Sequence, residues 1–140
     1  MTKKQAPSDQ LTDEDYQTLA AIRAALRRFM HFSEDAAKGA GLTPQQHQAL
    51  LAIRAAPEKV LSIGELADLL LIQPHTASEL ADRLGILGLV ERRPDAKDRR
   101  MMKLHLTSAA EKALQALSVT HKAELRRLRP LLDALLCKLE

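Results

Sequence analysis

The stretch Ser62-Ile-Gly-Glu-Leu-Ala-Asp-Leu-Leu-Leu-Ile-Gln-Pro-His-Thr-Ala-Ser-Glu-Leu-Ala-Asp-Arg-Leu-Gly-Ile-Leu-Gly-Leu-Val-Glu-Arg-Arg-Pro-Asp-Ala-Lys-Asp-Arg-Arg-Met-Met-Lys-Leu-His-Leu106 decides how this chain folds. It opens on Ser62-x-x-Glu65, a capping box in which serine and glutamate satisfy the free amides at a helix start. Leu66, Ala67, Leu69 and Leu70 give that short helix its apolar face. A break at Ile72 and Gln73 follows. Pro74 then suits the first position of a second helix, where its missing N–H costs nothing. This helix is expected to reach about Leu87, with Gly88 as its stop. The apolar period next changes to two. Leu89-Val90-Glu91-Arg92 reads as a short strand, and Met102, Leu104 and Leu106 alternate with Met101, Lys103 and His105. Pro94 and Asp95 favour turning between the strands, so the pair forms a hairpin with a cationic tip.

Upstream, Thr43 and Pro44 start another helix, with Gln46 three residues after the cap. It runs through Leu50, Leu51 and Ile53 and ends before Pro57. Residues 1–10 are polar and expected to fray. Thr12 then caps a long helix whose first turn is acidic (Asp13, Glu14, Asp15), as the positive end of the helix dipole favours. Tyr16, Leu19, Ile22, Leu26, Phe29 and Met30 recur at helical spacing until Gly39 and Gly41. This stripe suits either the chain's own core or an identical helix of a partner. Downstream, Ser108-x-x-Glu111 reads as a cap for a helix carrying Leu114, Leu117, Leu125 and Leu128. Pro130 is expected to break or restart it before Leu131, Leu132, Leu135, Leu136 and Leu139. The fold class is therefore mainly α with a small β-hairpin wing. A single domain over 1–140 is expected, with a winged helix-turn-helix lobe at 42–107 between long terminal helices at 11–38 and 108–140.

Composition agrees with this reading. The 140 residues are 46% apolar and 28% charged, an ordinary globular balance. Leucine and alanine dominate, while Tyr16, Phe29 and Phe32 are the only aromatics, so helix is favoured over sheet. Between Glu91 and Lys103 stand the cations Arg92, Arg93, Lys97, Arg99, Arg100 and Lys103, against the anions Glu91, Asp95 and Asp98. Their excess of three equals the +3 of the whole chain. A local cationic patch suits a polyanion; a solvated charged loop is the plainer alternative. The single cysteine, Cys137, excludes an intrachain disulfide. It is expected to be a buried hydrophobe rather than a redox sensor. No apolar signal segment follows Lys3 and Lys4, and no apolar run approaches the ~20 residues of a membrane span. A cytoplasmic protein with no membrane partner is expected.

Two short helices joined by a tight break and followed by a basic hairpin suit duplex DNA. A helix is narrow enough for the ~12 Å major groove. Spacing at 100° per residue puts Ala77, Leu80, Leu84 and Leu87 toward the core. His75, Ser78, Glu79 and Asp82 lie opposite, with Thr76 at the flank. Pro74, His75, Thr76, Ser78 and Glu79, in the first two turns, are the candidate recognition residues. Arg92, Arg93, Lys97, Arg99 and Arg100 are the candidate wing contacts.

The segments Leu61 to Leu70, His75 to Leu84, Gly88 to Arg100 and Leu104-His-Leu-Thr107 resemble the multiple-antibiotic-resistance regulator (MarR) family. Asp95-x-x-Asp98-Arg-Arg100 before a strand ending in Leu-Thr is the most specific part, and Leu42-Thr-Pro-Gln-Gln46 also looks like the family's approach into its second helix. The resemblance implies a twofold homodimer joined by its terminal helices and binding double-stranded DNA at an inverted repeat. Recognition helices would enter the major groove, and Arg99 or Arg100 would reach the minor groove or its phosphates. Asp98 would brace the wing by pairing with a neighbouring arginine. The resemblance further implies a ligand-responsive repressor with a small-molecule effector. Many members carry a basic residue where this chain has Glu79, which leaves the operator open.

The five histidines include no i, i+4 pair of the kind that binds metal on a helix. His31 and His47 are expected at a helix interface or pocket rim. No phosphate loop, nucleophile elbow or carboxylate pair points to catalysis. Neither an enzyme nor a cofactor is expected. The competing function is a winged-helix protein-interaction module without specific DNA binding.

Overall fold

The structure, a computed structural model, describes residues 10–139. The residues before Gln10, where fraying was expected, lie outside the described part. In chain order the elements are α1 (Asp13–Gly39), α2 (Pro44–Ala55), β1 (Val60–Leu61), α3 (Ile63–Leu70), α4 (Pro74–Ile86), β2 (Val90–Pro94), β3 (Met102–Leu106) and α5 (Ser108–Cys137). They divide into two compact units, one from Ser33 to His121 and one from the two chain ends. α1 and α5 each contribute to both.

The Ser33–His121 unit is the winged lobe. Its helices start where local side-chain chemistry dictates. The Thr43 hydroxyl accepts from the Gln46 amide (3.1 Å), and the Gln46 side chain accepts from the Thr43 amide (3.0 Å). Ser62 and Glu65 repeat the exchange at α3, at 3.1 Å in both directions. Leu50, Ile53, Leu66, Leu84 and Leu104 are the largest fully buried side chains, so α2, α3, α4 and β3 share one core. Gly88, at φ 72°, makes the turn from α4 into β2.

The sheet is antiparallel in the order β1-β3-β2, with Leu61 opposite Leu104 and Arg92 also opposite Leu104 from the other side. β1 adds a third strand to the expected hairpin. Three other details differ from expectation. Leu87 is not part of the inner face of α4: it is the C-cap, half exposed, and Ala81 is buried in its place. The cap of α5 is Thr107 rather than Ser108. Its hydroxyl accepts from the Ala110 amide (3.3 Å) and donates to the Gly88 carbonyl (2.7 Å), tying the helix start to the turn after α4. Pro130 does not end α5, which runs on to Cys137. One missing N–H is compatible with a helix that continues on both sides.

His47 on α2 is buried, and its ring lies 4.8 Å from that of His121 on α5. His121 Nε2 is 2.7 Å from the Ser33 hydroxyl, and Nδ1 is 2.6 Å from the Leu117 carbonyl. A carbonyl only accepts, so Nδ1 carries a proton. Burial, and then the charge of His121, push the His47 pKa below its usual value. The consequence for stability has a definite sign. Above pH ~6.5 His47 is neutral whether folded or unfolded and contributes no pH dependence. Below it the unfolded chain takes up a proton that the folded lobe refuses, so stability falls as pH drops toward the lower folded value. Urea unfolding should show stability falling from pH 7 to pH 5, at no more than about 1.4 kcal/mol per pH unit from this group. His47→Gln should flatten that slope; an unchanged slope would show that other groups set it.

In the unit built from the chain ends, the Thr12 hydroxyl accepts from the Asp15 amide (3.2 Å), and the Asp15 carboxylate accepts from the Thr12 amide (2.9 Å). Thr18, Ala25 and Leu135 are buried there, but Tyr16, Leu19, Leu26, Met30, Leu125, Leu131 and Leu136 are exposed. Cys137 is also exposed, which corrects the expectation of burial. It stands at the last position of α5, beyond the buried Leu135. No described helix is long and apolar enough to cross a membrane.

Candidate nucleic-acid interface

α4 presents its two faces as its periodicity requires. Ala77, Leu80, Ala81 and Leu84 are buried, Pro74, His75 and Glu79 are exposed, and Thr76 and Ser78 are half-buried. The N-cap, Gln73, makes no side-chain hydrogen bond to the helix, so the first-turn amides have no side-chain acceptor there. A cleft of about 370 Å³ lies between this helix and the start of α2, lined by Thr43, Gln45, Gln46, Thr76, Glu79 and Arg83. Gln45 and Arg83, both exposed, therefore border the candidate recognition residues. Sequence reasoning missed both. Arg83 was within reach of it, one turn after Glu79 on the same helix.

The wing separates its cations into two groups. Arg92 folds back onto α4: its Nη2 donates to Asp82 Oδ1 (2.6 Å) and to the Ser78 carbonyl (3.2 Å), with the Ser78 hydroxyl at 3.5 Å. Arg93 pairs with Glu91 (2.6 Å), its neighbour two residues along the same strand. Lys103 pairs with Glu65 (2.8 Å) on α3. That bond first, and then the bonds with Ser62, hold the Glu65 carboxyl down to about 2, while the same contact raises Lys103. These three cations are neutralised by carboxylates within the lobe.

Lys97, Arg99 and Arg100 are different. All three are exposed, and among the described residues none makes an ion pair. The tip that carries them is closed by backbone bonds. Asp95 N–H donates to the Met101 carbonyl (2.8 Å) and Met101 N–H to the Asp98 carbonyl (3.0 Å). The Asp95 carboxylate accepts from the Asp98 amide (3.2 Å), and the Asp98 carboxylate accepts from the Arg100 amide (3.1 Å). Asp98 thus bonds the backbone of Arg100 instead of pairing with its guanidinium. Among the described residues no group of three or more His, Cys, Asp or Glu side chains could hold a metal ion.

A helix-turn-helix backed by a three-stranded sheet with a cationic loop is a winged-helix lobe. Residues 40–101 match the model of the MarR family. YsmB of Bacillus subtilis, an uncharacterised HTH-type transcriptional regulator, is 33% identical over 66 residues, which are 47% of this chain and 45% of that one. The chain therefore matches less than half the length of this curated relative. AbsC of Streptomyces coelicolor, a MarR family transcriptional regulator, superposes with a TM-score of 0.70 at 22% identity, over 86% of this chain and 81% of that one. A mutant MepR of S. aureus bound to an oligodeoxyribonucleotide superposes with a TM-score of 0.69 at 20% identity, over 94% and 100%. Identities this low establish the fold. The winged lobe therefore has the fold of the MarR family structures on which it superposes, the fold that the sequence resemblance implied.

Proposed function

We propose that this chain is a DNA-binding transcription regulator that acts as a homodimer at an inverted-repeat operator. The observation that carries the proposal is the sorting of the wing's charges. The cations nearest the core are held by acids, and the three at the tip have none among the described residues. A lone cation gains from a phosphate and releases the counterion condensed there. His75, Thr76, Ser78 and Glu79 would read base edges in the major groove, with Pro74 leading the helix in. Arg99, Arg100 and Lys97 would hold the backbone or minor groove, positioning the lobe without specifying sequence. Arg92 and Arg93 are committed to Asp82 and Glu91 and would serve first to shape the wing.

Dimerisation would fall to the helices at the two chain ends, where Tyr16, Leu19, Leu26, Leu131 and Leu136 leave apolar surface exposed. Repression released by a small, largely apolar effector is the proposed regulation. A groove of about 700 Å³ between α2 and α3, walled by Leu51, Ala52, Ala55, Leu61, Leu69 and Leu70, has the size of a ligand site. An effector acts only through different affinities for the DNA-competent and incompetent states.

Selection from random duplex DNA tests the proposal. The expected product is an inverted repeat with half-site centres about 10 bp apart, bound by a species of dimer mass in sedimentation. Recovery of no preferred sequence, with binding insensitive to salt, would instead favour a protein-interaction module.

A further inference from the structure

Leu71 joins two properties that do not favour each other. Its backbone lies in the left-handed region, at φ 56° and ψ 43°. Glycine or asparagine occupies that region with less strain, because the leucine Cβ crowds the following carbonyl. Its side chain is also 91% exposed, the most exposed large apolar side chain among the described residues. The turn itself accounts for the backbone: Leu71 N–H donates to the Asp68 carbonyl (3.3 Å) and Ile72 N–H to the Ala67 carbonyl (3.0 Å), which ends α3 tightly. Nothing in the turn requires the side chain, which packs on no core.

Its place in the chain supplies a reason. α4 starts three residues later at Pro74, which is also exposed, so the leading edge of the candidate recognition helix is aliphatic at Leu71 and Pro74. Between them stands the exposed N-cap Gln73, and the candidate base readers on the helix itself begin at His75. The major groove of DNA offers one apolar group, the C5 methyl of thymine. We propose that Leu71, flanked by Pro74, is a specificity residue that contacts a thymine methyl in each half-site. The proposal rests on the DNA-binding reading above and adds a base preference to it.

The test uses the full chain and the duplex recovered by selection, with each thymine replaced singly by deoxyuridine, which removes only the methyl. One thymine per half-site should stand out. Its replacement should weaken binding about fourfold, as expected for one buried methyl, and replacement in both half-sites about sixteenfold. Leu71→Asn and Leu71→Ala should bind the thymine and deoxyuridine duplexes equally well. Leu71→Asn should also melt at or above the temperature of the parent, because asparagine tolerates the left-handed backbone. Indifference of the parent to every deoxyuridine, or full discrimination kept by both variants, overturns the proposal while leaving sequence-specific DNA binding intact. A parent that selects no sequence removes the DNA-binding reading and this proposal with it.

Discussion

Replacing Arg99 and Arg100 together by alanine is expected to lower affinity for every duplex by about a hundredfold or more at low salt. The proposed dimer would lose four cations, and a charge-assisted bond contributes roughly 1.5–3 kcal/mol in a favourable setting. Since these cations would meet phosphate or the minor groove, specific and random DNA should weaken together. The slope of log affinity against log salt should drop by about 0.9 for each phosphate that is no longer neutralised. Folding should be spared, because the turn is closed by the Asp95 and Asp98 carboxylates acting on backbone amides. Arg93→Ala is the internal control: Glu91 already holds this guanidinium at 2.6 Å, so its removal should change affinity far less. Unchanged affinity and salt slope in the double variant would sink the wing assignment.

Leu84→Ala should cost the lobe about 2–5 kcal/mol, the range for truncating a fully buried leucine. Leu84 has no solvent exposure and fastens α4 to the core shared with Leu50, Ile53 and Leu66. Leu87→Ala, three residues on, should cost less than about 1 kcal/mol, since that side chain is half exposed at the C-cap. Urea unfolding of both variants measures the contrast. Equal losses would mean that α4 is not anchored through this face.

The parts of this fold that were legible in the sequence are those fixed by neighbours three or four residues apart. Thr43 with Gln46 and Ser62 with Glu65 announce their helices because both partners sit within one turn. The inner face of α4 follows from its period for the same reason, up to the point where the helix ends and Leu87 leaves it. What escaped depends on distant partners. β1 is two residues long and exists only because β3, more than forty positions later, pairs with it. Thr107 rather than Ser108 caps α5 because its hydroxyl also reaches Gly88, nineteen residues earlier. The cluster of wing cations was visible in the sequence, but not its division. Glu65 and Asp82, which neutralise Lys103 and Arg92, lie on other elements, and only the folded chain brings them near.

The bond from Arg92 to Asp82 and Ser78 has a mechanical consequence. It pins a strand of the wing to the middle of α4, so the tip and the leading edge of the helix behave as the two jaws of one caliper. Their spacing is set inside the lobe, before any duplex is met. Under the proposed function, a signal that releases the operator need not disturb either jaw: turning the whole caliper by a few degrees would lift both from their grooves at once. Cutting the pin with Arg92→Ala, which removes the donor shared by all three contacts, would let each jaw find its groove separately, trading a fixed gauge for a loose one.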